Sequence, residues 1–132
     1  MLELKVAVCD GHSLFTTDIY VGHKQFADTV SGLDRFKEQI RGGLFNLRFG
    51  KFGPEYSSGA LDVRMHFRTR AKLLLRVSAE CGFSRFEDQE LASKATLHLV
   101  SEPGLLDNFV LELGMLSKGS VDHAELEAVS WG

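Results

Sequence analysis

The feature that most constrains the fold is a regular alternation of apolar and polar residues over 61–80. Every second side chain over 61–68 is apolar, and the same holds over 72–80 except at Leu74. Side chains of a β-strand point alternately to its two faces, so this period indicates two strands, each with one buried and one exposed face. The short break at 69–71 predicts that they form an antiparallel hairpin at the centre of a sheet.

The register of this hairpin follows from the same alternation, because residues directly opposite in an antiparallel pair share a face. Pairing Phe67 with Leu73 places the apolar side chains of both strands together, whereas a shift by one residue would mix the faces. This register predicts a three-residue loop, Thr69–Ala71, closed by an Arg68–Lys72 pair. The loop lacks the glycine that such turns favour at their left-handed position, so a longer loop is the alternative.

Similar alternation elsewhere predicts the remaining strands. They are Leu2–Val8, Leu14–Val21, Leu44–Phe49 and Lys94–Val100. An Asp-Gly pair at Asp10–Gly11 predicts a turn between the first two strands. Residues 82–91 are either irregular or contain a short extra strand.

Two helices are predicted from capping residues and apolar stripes. The first covers Ser31–Arg41, with Ser31 or Asp28 as its N-cap and the glycines at 42–43 as its end. Residues 22–30 are unassigned, although their apolar residues suit the start of this helix.

The second predicted helix begins at Ser101–Pro103, with Ser101 as its cap, and ends at Gly119. Two amphipathic helices can cover only one face of an antiparallel sheet. The predicted fold is therefore α+β: an antiparallel meander of about six strands with both helices on one face, an open-faced two-layer sandwich. The covered face is predicted to carry Phe45, Leu47, Phe49, Met65, Phe67, Leu75, Leu97 and Leu99.

The chain of 132 residues is long enough for one core. We predict a single α+β domain over 1–119 and a polar C-terminal tail over 120–132, in which Trp131 is either disordered or held in a groove.

The two cysteines, far apart in sequence, are typical of a reducing compartment. The first residues do not resemble a signal peptide, and no apolar run approaches the roughly 20 residues of a membrane span. These features predict a cytoplasmic protein that does not enter a membrane.

No motif in the sequence specifies a reaction. The pair Cys9 and His12 has metal-ligand spacing but no second pair follows it, and a structural zinc site needs four ligands. The glycines within 48–53 do not form a phosphate-binding loop of the Walker type. The acidic cluster within 87–90 is most simply a solvated loop. We therefore predict no catalytic residue, no metal ligand and no cofactor, and we regard a non-enzymatic protein as the better interpretation. The alternative is an enzyme or small-ligand-binding domain whose site is assembled across the fold.

The order of the elements resembles that of the WapI-like family of bacterial immunity proteins. The resemblance rests on a strand pair that leads into a helix with Leu33, Phe36 and Ile40, and on a meander whose middle is the alternation over 61–67. The chain then runs from the Leu97–Leu99 strand directly into a leucine-rich helix. The resemblance covers most of residues 1–118. It implies a binding protein that protects a cell from a toxin, rather than an enzyme.

Charge is distributed unevenly along the chain, although the net charge is only −3. Residues 44–76 contain seven Lys or Arg and two Asp or Glu, whereas the residues after them contain three and ten. Following the alternation outward places basic residues on the uncovered face of the sheet. The predicted partner-binding residues are Arg48, Arg64, His66, Arg68, Lys72, Leu74 and Arg76, with Lys94 and His98 beside them on the last strand.

The predicted register sets Arg64 opposite Arg76, an arrangement that destabilises a sheet. Two explanations remain open. The arginines could lean on acids of the C-terminal half, such as Glu102 or those within 82–91. Alternatively, the face could receive an acidic protein surface, with Leu74 as its apolar centre. Nucleic acid is a poorer partner because no aromatic residue lies among the outward positions to stack on a base. The sequence does not indicate an oligomeric state.

Overall fold

The computed structural model describes residues 2–53, 59–69 and 72–129. The strand pairs in these ranges are antiparallel, and two helices accompany them, so the predicted α+β class is confirmed. The elements are β1 (Leu2–Cys9), β2 (Leu14–Val21), α1 (His23–Phe36), β3 (Leu44–Phe49), β4 (Ala60–Thr69), β5 (Lys72–Glu80), β6 (Ser84–Phe86), β7 (Gln89–Leu91), β8 (Lys94–Ser101) and α2 (Pro103–Ser117).

The main sheet has four strands in the order β3-β4-β5-β8. Phe67 pairs with Leu73, as the alternation predicts, and the same register continues to the far end of the hairpin. The predicted Arg68–Lys72 pair is wrong, because Thr69 lies opposite Lys72 and the register shifts after Phe67. Such a bulge places two residues of one strand against one of the other. Residues 70–71 of the predicted loop lie outside the described residues.

Strands β1 and β2 form a hairpin of their own rather than joining the main sheet. The six long strands therefore match the predicted number of about six, but they are divided between two sheets. Hydrogen bonds join the hairpin to the main sheet and to the residues that flank its strands. Gly59 N–H donates to Asp18 O at 3.0 Å, the buried Thr17 Oγ1 donates to Glu80 O at 3.0 Å, and Cys81 Sγ donates to Thr16 O at 3.6 Å. Alternation shows which face of a strand is buried but not which strand is its neighbour, so this division could not be predicted.

Helix α1 begins eight residues before the predicted start and ends at Phe36, so the prediction of Ser31–Arg41 is wrong at both ends. Ser31 and Asp28 lie inside the helix, and the N-cap is Gly22, which has no side chain to cap with. The helix starts early because Phe26, two turns before the buried Leu33, is itself buried in the core and extends the apolar stripe towards the N-terminus.

Helix α2 starts at Pro103, but the predicted cap is wrong. Ser101 still belongs to β8 and is fully buried, and its Oγ donates to Glu127 O at 2.6 Å, so Glu102 is the N-cap. The predicted end is confirmed: Gly119 has a φ of +76°, and Ser120 N–H reaches back to Met115 O at 2.9 Å. This is the hydrogen bonding of a helix that terminates at a left-handed glycine.

Both helices cover the same face of the main sheet. Phe36 of α1 stacks on Phe67 with ring centroids 4.9 Å apart and lies 5.6 Å from Phe45. Helix α2 contacts α1 and contributes three buried side chains to the same core, Leu106, Val110 and Leu113. Each large buried side chain contributes about 1.5–3 kcal/mol, so this aromatic and aliphatic layer accounts for much of the stability. The predicted two-layer arrangement is confirmed.

The segments left open by the sequence are ordered by backbone bonds. Residues 84–91 form a small hairpin whose turn residues Glu87 and Asp88 both have positive φ, as a type I′ turn requires.

After α2 the chain returns along the edge of the main sheet, where Val129 N–H donates to Val100 O at 2.7 Å. Ala124 and Leu126 pack against the core on the way. Trp131 lies outside the described residues.

A substitution at Gly59 tests the contact between the β1–β2 hairpin and the main sheet. A Cβ at this position would collide with Thr17 Oγ1 and lie close to two backbone oxygens, so Gly59→Ala forces the hairpin away from the sheet. We expect a loss of about 1–3 kcal/mol in the free energy of unfolding, measured by urea denaturation. Gly114→Ala is the matched control: its added Cβ meets no atom within 4 Å outside the adjoining turns of its own helix, and alanine in a helix should raise stability by about 0.5–1 kcal/mol. Equal effects of the two substitutions would contradict this packing.

The stability of the protein should depend on pH through Asp10 in the β1–β2 turn. Hydrogen bonds from the backbone N–H groups of Ser13 (2.7 Å) and His12 (2.9 Å) hold the pKa of the Asp10 carboxyl below its ordinary value of 3.8. A carboxyl whose pKa is lowered by folding stabilises the protein above its unfolded pKa, and this contribution is lost as the pH falls through the folded pKa. Asp10→Ala should therefore lower Tm at neutral pH, with a difference that shrinks as the pH falls below about 4. A difference independent of pH would contradict this.

Candidate functional site

The candidate site lies on the face of the main sheet that the helices leave uncovered, called here the open face. The register places Asn46, Arg64, Arg76 and His98 side by side across the four strands, and we call these the arginine row. The neighbouring set, called the apolar row, consists of Leu44, His66, Leu74 and Val100. On the other side of the arginine row lies a third set, Arg48, Asp62, Ser78 and Thr96.

The arginine row and the apolar row enclose an open depression of about 430 Å³. Leu74 and Val100 are directly opposite each other and belong to its apolar part, while Arg64, Arg76 and the two histidines provide its charged and polar part. The full lining is Arg64, His66, Leu74, Leu75, Arg76, His98, Leu99 and Val100. The depression therefore places an apolar pair directly beside two cationic side chains.

The acidic group of the open face is already engaged. Arg48 holds Asp62 through its Nη2 at 2.6 Å and its Nε at 3.1 Å, and Asn46 Nδ2 donates to the other carboxylate oxygen at 3.1 Å. Asp62 therefore neutralises Arg48 and not the arginine row. Since 65% of the Arg48 side chain is exposed, Arg48 still presents a surface to solvent.

The two central arginines lie directly opposite each other. Arg64 pairs with Arg76 in the ladder, and neither forms an ion pair with any residue of the described ranges. Within the described ranges, Glu102 makes no ion pair with Arg64 or Arg76. Asp88, in the small hairpin, forms its ion pair with Arg85 instead. Within these ranges, the acids of the C-terminal half do not offset the charge of the open face.

The structure brings together only part of the predicted set. Arg64, His66, Leu74 and Arg76 line the depression, and Arg48 lies one row away. The remaining two, Arg68 and Lys72, are exposed at the hairpin end, where the bulge separates them from the regular rows.

Sequence reasoning missed Val100, which lies opposite Leu74 in the lining of the depression. Val100 lies two residues beyond His98, so the alternation of β8 places it on the open face, and this signal was present in the sequence. Its burial, at 8% exposure, depends on the neighbouring Leu74 and on the returning tail at Val129. That contribution could not be predicted, because it comes from a segment 29 residues further along the chain.

The lining of the depression offers hydrogen-bond donors and charge rather than an acid–base pair. The described residues that line it include two histidines but no carboxylate and no thiol. Cys81 lies elsewhere, with its Sγ 3.6 Å from Thr16 O, and Cys9 is at the far end of the β1–β2 hairpin. Among the residues that the structure describes, no three His, Cys, Asp or Glu side chains are grouped as metal ligands would be. The arrangement is suited to binding an anion or an acidic surface.

Comparison with known proteins finds no relative of this chain. No protein-family model matches the chain, and neither the curated proteins nor the solved structures provide a match. In the described part of the chain, no helix is long and apolar enough to cross a membrane. The resemblance to WapI-like immunity proteins stays a prediction.

Replacing one arginine of the central pair should stabilise the protein. Like charges directly opposite in a sheet are destabilising, and opposite charges are favourable, by about 0.2–1 kcal/mol a pair. We expect Arg76→Glu to raise the free energy of unfolding by up to about 1 kcal/mol, because the new carboxylate faces Arg64. In the double variant R64E/R76E the repulsion returns with opposite sign, so its stability should stay close to that of the parent. Urea denaturation at low salt measures both, and a less stable R76E would contradict the assignment.

Proposed function

We propose that this protein is a non-enzymatic binding protein whose open face docks an acidic protein surface. The observation that carries the proposal is the directly opposed Arg64–Arg76 pair, which has no neutralising partner among the described residues. A sheet under selection for stability alone could carry an acid at either position. The repulsion is accounted for if a partner supplies the missing carboxylates.

The surroundings of the pair favour a protein partner. Stable protein interfaces combine a desolvated apolar centre with a polar rim, and arginine is enriched in them. Leu74 and Val100 form such a centre beside the arginine row. Nucleic acid is a poorer match because the three rows of the open face contain no aromatic side chain to stack on a base, and the net charge of the chain is −3.

The predicted resemblance to WapI-like immunity proteins supports the same class of function. Under that interpretation the acidic surface belongs to a toxin, and the protein acts in the cytoplasm of the cell that it protects. Binding would neutralise the toxin by covering its surface, so no catalytic residue is required of this chain.

A small anionic ligand is the second candidate. The depression, at about 430 Å³, falls within the range of about 300–1,000 Å³ that is usual for small-molecule sites. Two arginines and two histidines at its edge could hold a phosphate or carboxylate group. The open shape favours the protein partner, because small-molecule sites enclose most of the ligand surface.

The test is affinity capture from the native cell with the immobilised chain. We expect an acidic protein to bind the parent and the control R35E/R41E, whose substitutions lie on α1 and in the turn after it, but not R64E/R76E. The two double variants change the net charge equally, so a difference between them reports the position of the charges. Equal capture by R64E/R76E and the parent would refute the proposal. Loss of a thermal shift by organic phosphates or carboxylates in R64E/R76E, without any captured protein, would favour the small ligand.

A further inference from the structure

A second depression, of about 300 Å³, has the opposite charge. It lies between α2 and the returning tail, and we call it the acidic groove. Its lining is Leu105, Asn108, Leu111, Glu112, Glu125 and Glu127. Leu111 projects beside it with 65% of its surface exposed. The acidic groove thus combines an exposed apolar side chain with three carboxylates.

The groove is held in shape by the tail. The Glu125 N–H donates to Glu112 Oε1 at 3.1 Å, and the buried Ser101 hydroxyl holds the backbone oxygen of Glu127 at 2.6 Å. Ala124 and Leu126 pack against the core, which leaves Glu125 and Glu127 exposed. In the described part of the chain, neither glutamate takes part in an ion pair.

The two depressions are complementary in charge and in apolar content. On the open face, the apolar pair Leu74 and Val100 lies beside Arg64 and Arg76. In the acidic groove, Leu111 lies beside Glu125 and Glu127. If Leu111 of one molecule enters the depression of another, glutamates and arginines meet at its edge. Complementary potentials of this kind give an association its register and its rate.

We propose that the open face of one molecule docks the acidic groove of a second copy of this chain. The inference rests on the proposed function, since it names a second copy as one acidic surface that the same site accepts. The contact joins two different patches, so it is head-to-tail and extends into short chains unless its rotation closes a ring. Self-docking covers the partner-binding face, and a foreign acidic protein therefore competes with it.

The first measurement is sedimentation velocity of the full chain over a concentration series. We expect reversible association that weakens as salt rises from about 0.05 to 0.5 M, because charges at the rim of the contact are screened. The basic-face variant R64Q/R76Q and the acidic-groove variant E125Q/E127Q should each weaken self-association at least about tenfold. The control R35Q/R41Q should associate like the parent.

Mixing the two variants gives the decisive result. The basic-face variant keeps its acidic groove, and the acidic-groove variant keeps its open face, so an equimolar mixture has one intact contact. We expect a 1:1 complex that does not extend further, because both outer patches are disabled. Glutamine is used instead of charge reversal so that the two altered patches cannot attract each other.

Three outcomes would overturn self-docking: a parent that stays monomeric over the whole series, variants that associate like the parent, or a mixture that stays monomeric. The proposed function fails separately. A monomeric parent that captures an acidic protein through Arg64 and Arg76 refutes self-docking and supports the proposed function. Self-docking by the parent, together with equal capture of foreign proteins by R64E/R76E and the parent, supports self-docking and refutes a foreign partner at this face.

Discussion

The ladder between β4 and β5 determines which side chains this protein buries and which it presents. Pairing Phe67 with Leu73 sends the apolar side chains of both strands to the face that α1 and α2 cover. A shift by one residue would exchange the two faces of one strand and bury its charges. The stack of Phe36 on Phe67 joins α1 to this ladder, so the position of the helical layer depends on the same register.

The same register places the basic side chains of the sheet together on the open face. Because the buried face takes most of the apolar positions, the polar positions of four strands accumulate on the open face, and Arg64 meets Arg76 there. Asp62 could have offset this repulsion, but it is held by Arg48 and Asn46. The sheet keeps an unfavourable pair at its centre, which an ordinary stabilising substitution could remove. That conflict between local stability and the observed side chains is the physical basis for assigning a binding role to this face.

The tail connects the two charged depressions. It pairs with β8 through Val129 and covers Val100 at the edge of the open face, and it also forms one wall of the acidic groove. The buried hydroxyl of Ser101 holds it in place. A side chain that would serve as a helix cap in an isolated segment thus anchors a distant part of the chain, because the strand extends one residue further than its alternation indicates.

The sequence by itself determined the strand faces, the hairpin register, the class of the fold and the basic character of the open face, because alternation and charge are local properties of the chain. The register shift at Arg68, the true limits of α1, the separate β1–β2 hairpin and the return of the tail were decided only by the tertiary structure. The limits of α1, the separate hairpin and the return of the tail depend on contacts between residues far apart in sequence, such as Phe26 with Phe49 or Gly59 with Asp18. Neither short-range periodicity nor capping residues carry information about such contacts, since the free energy that selects them comes from burial against a distant element.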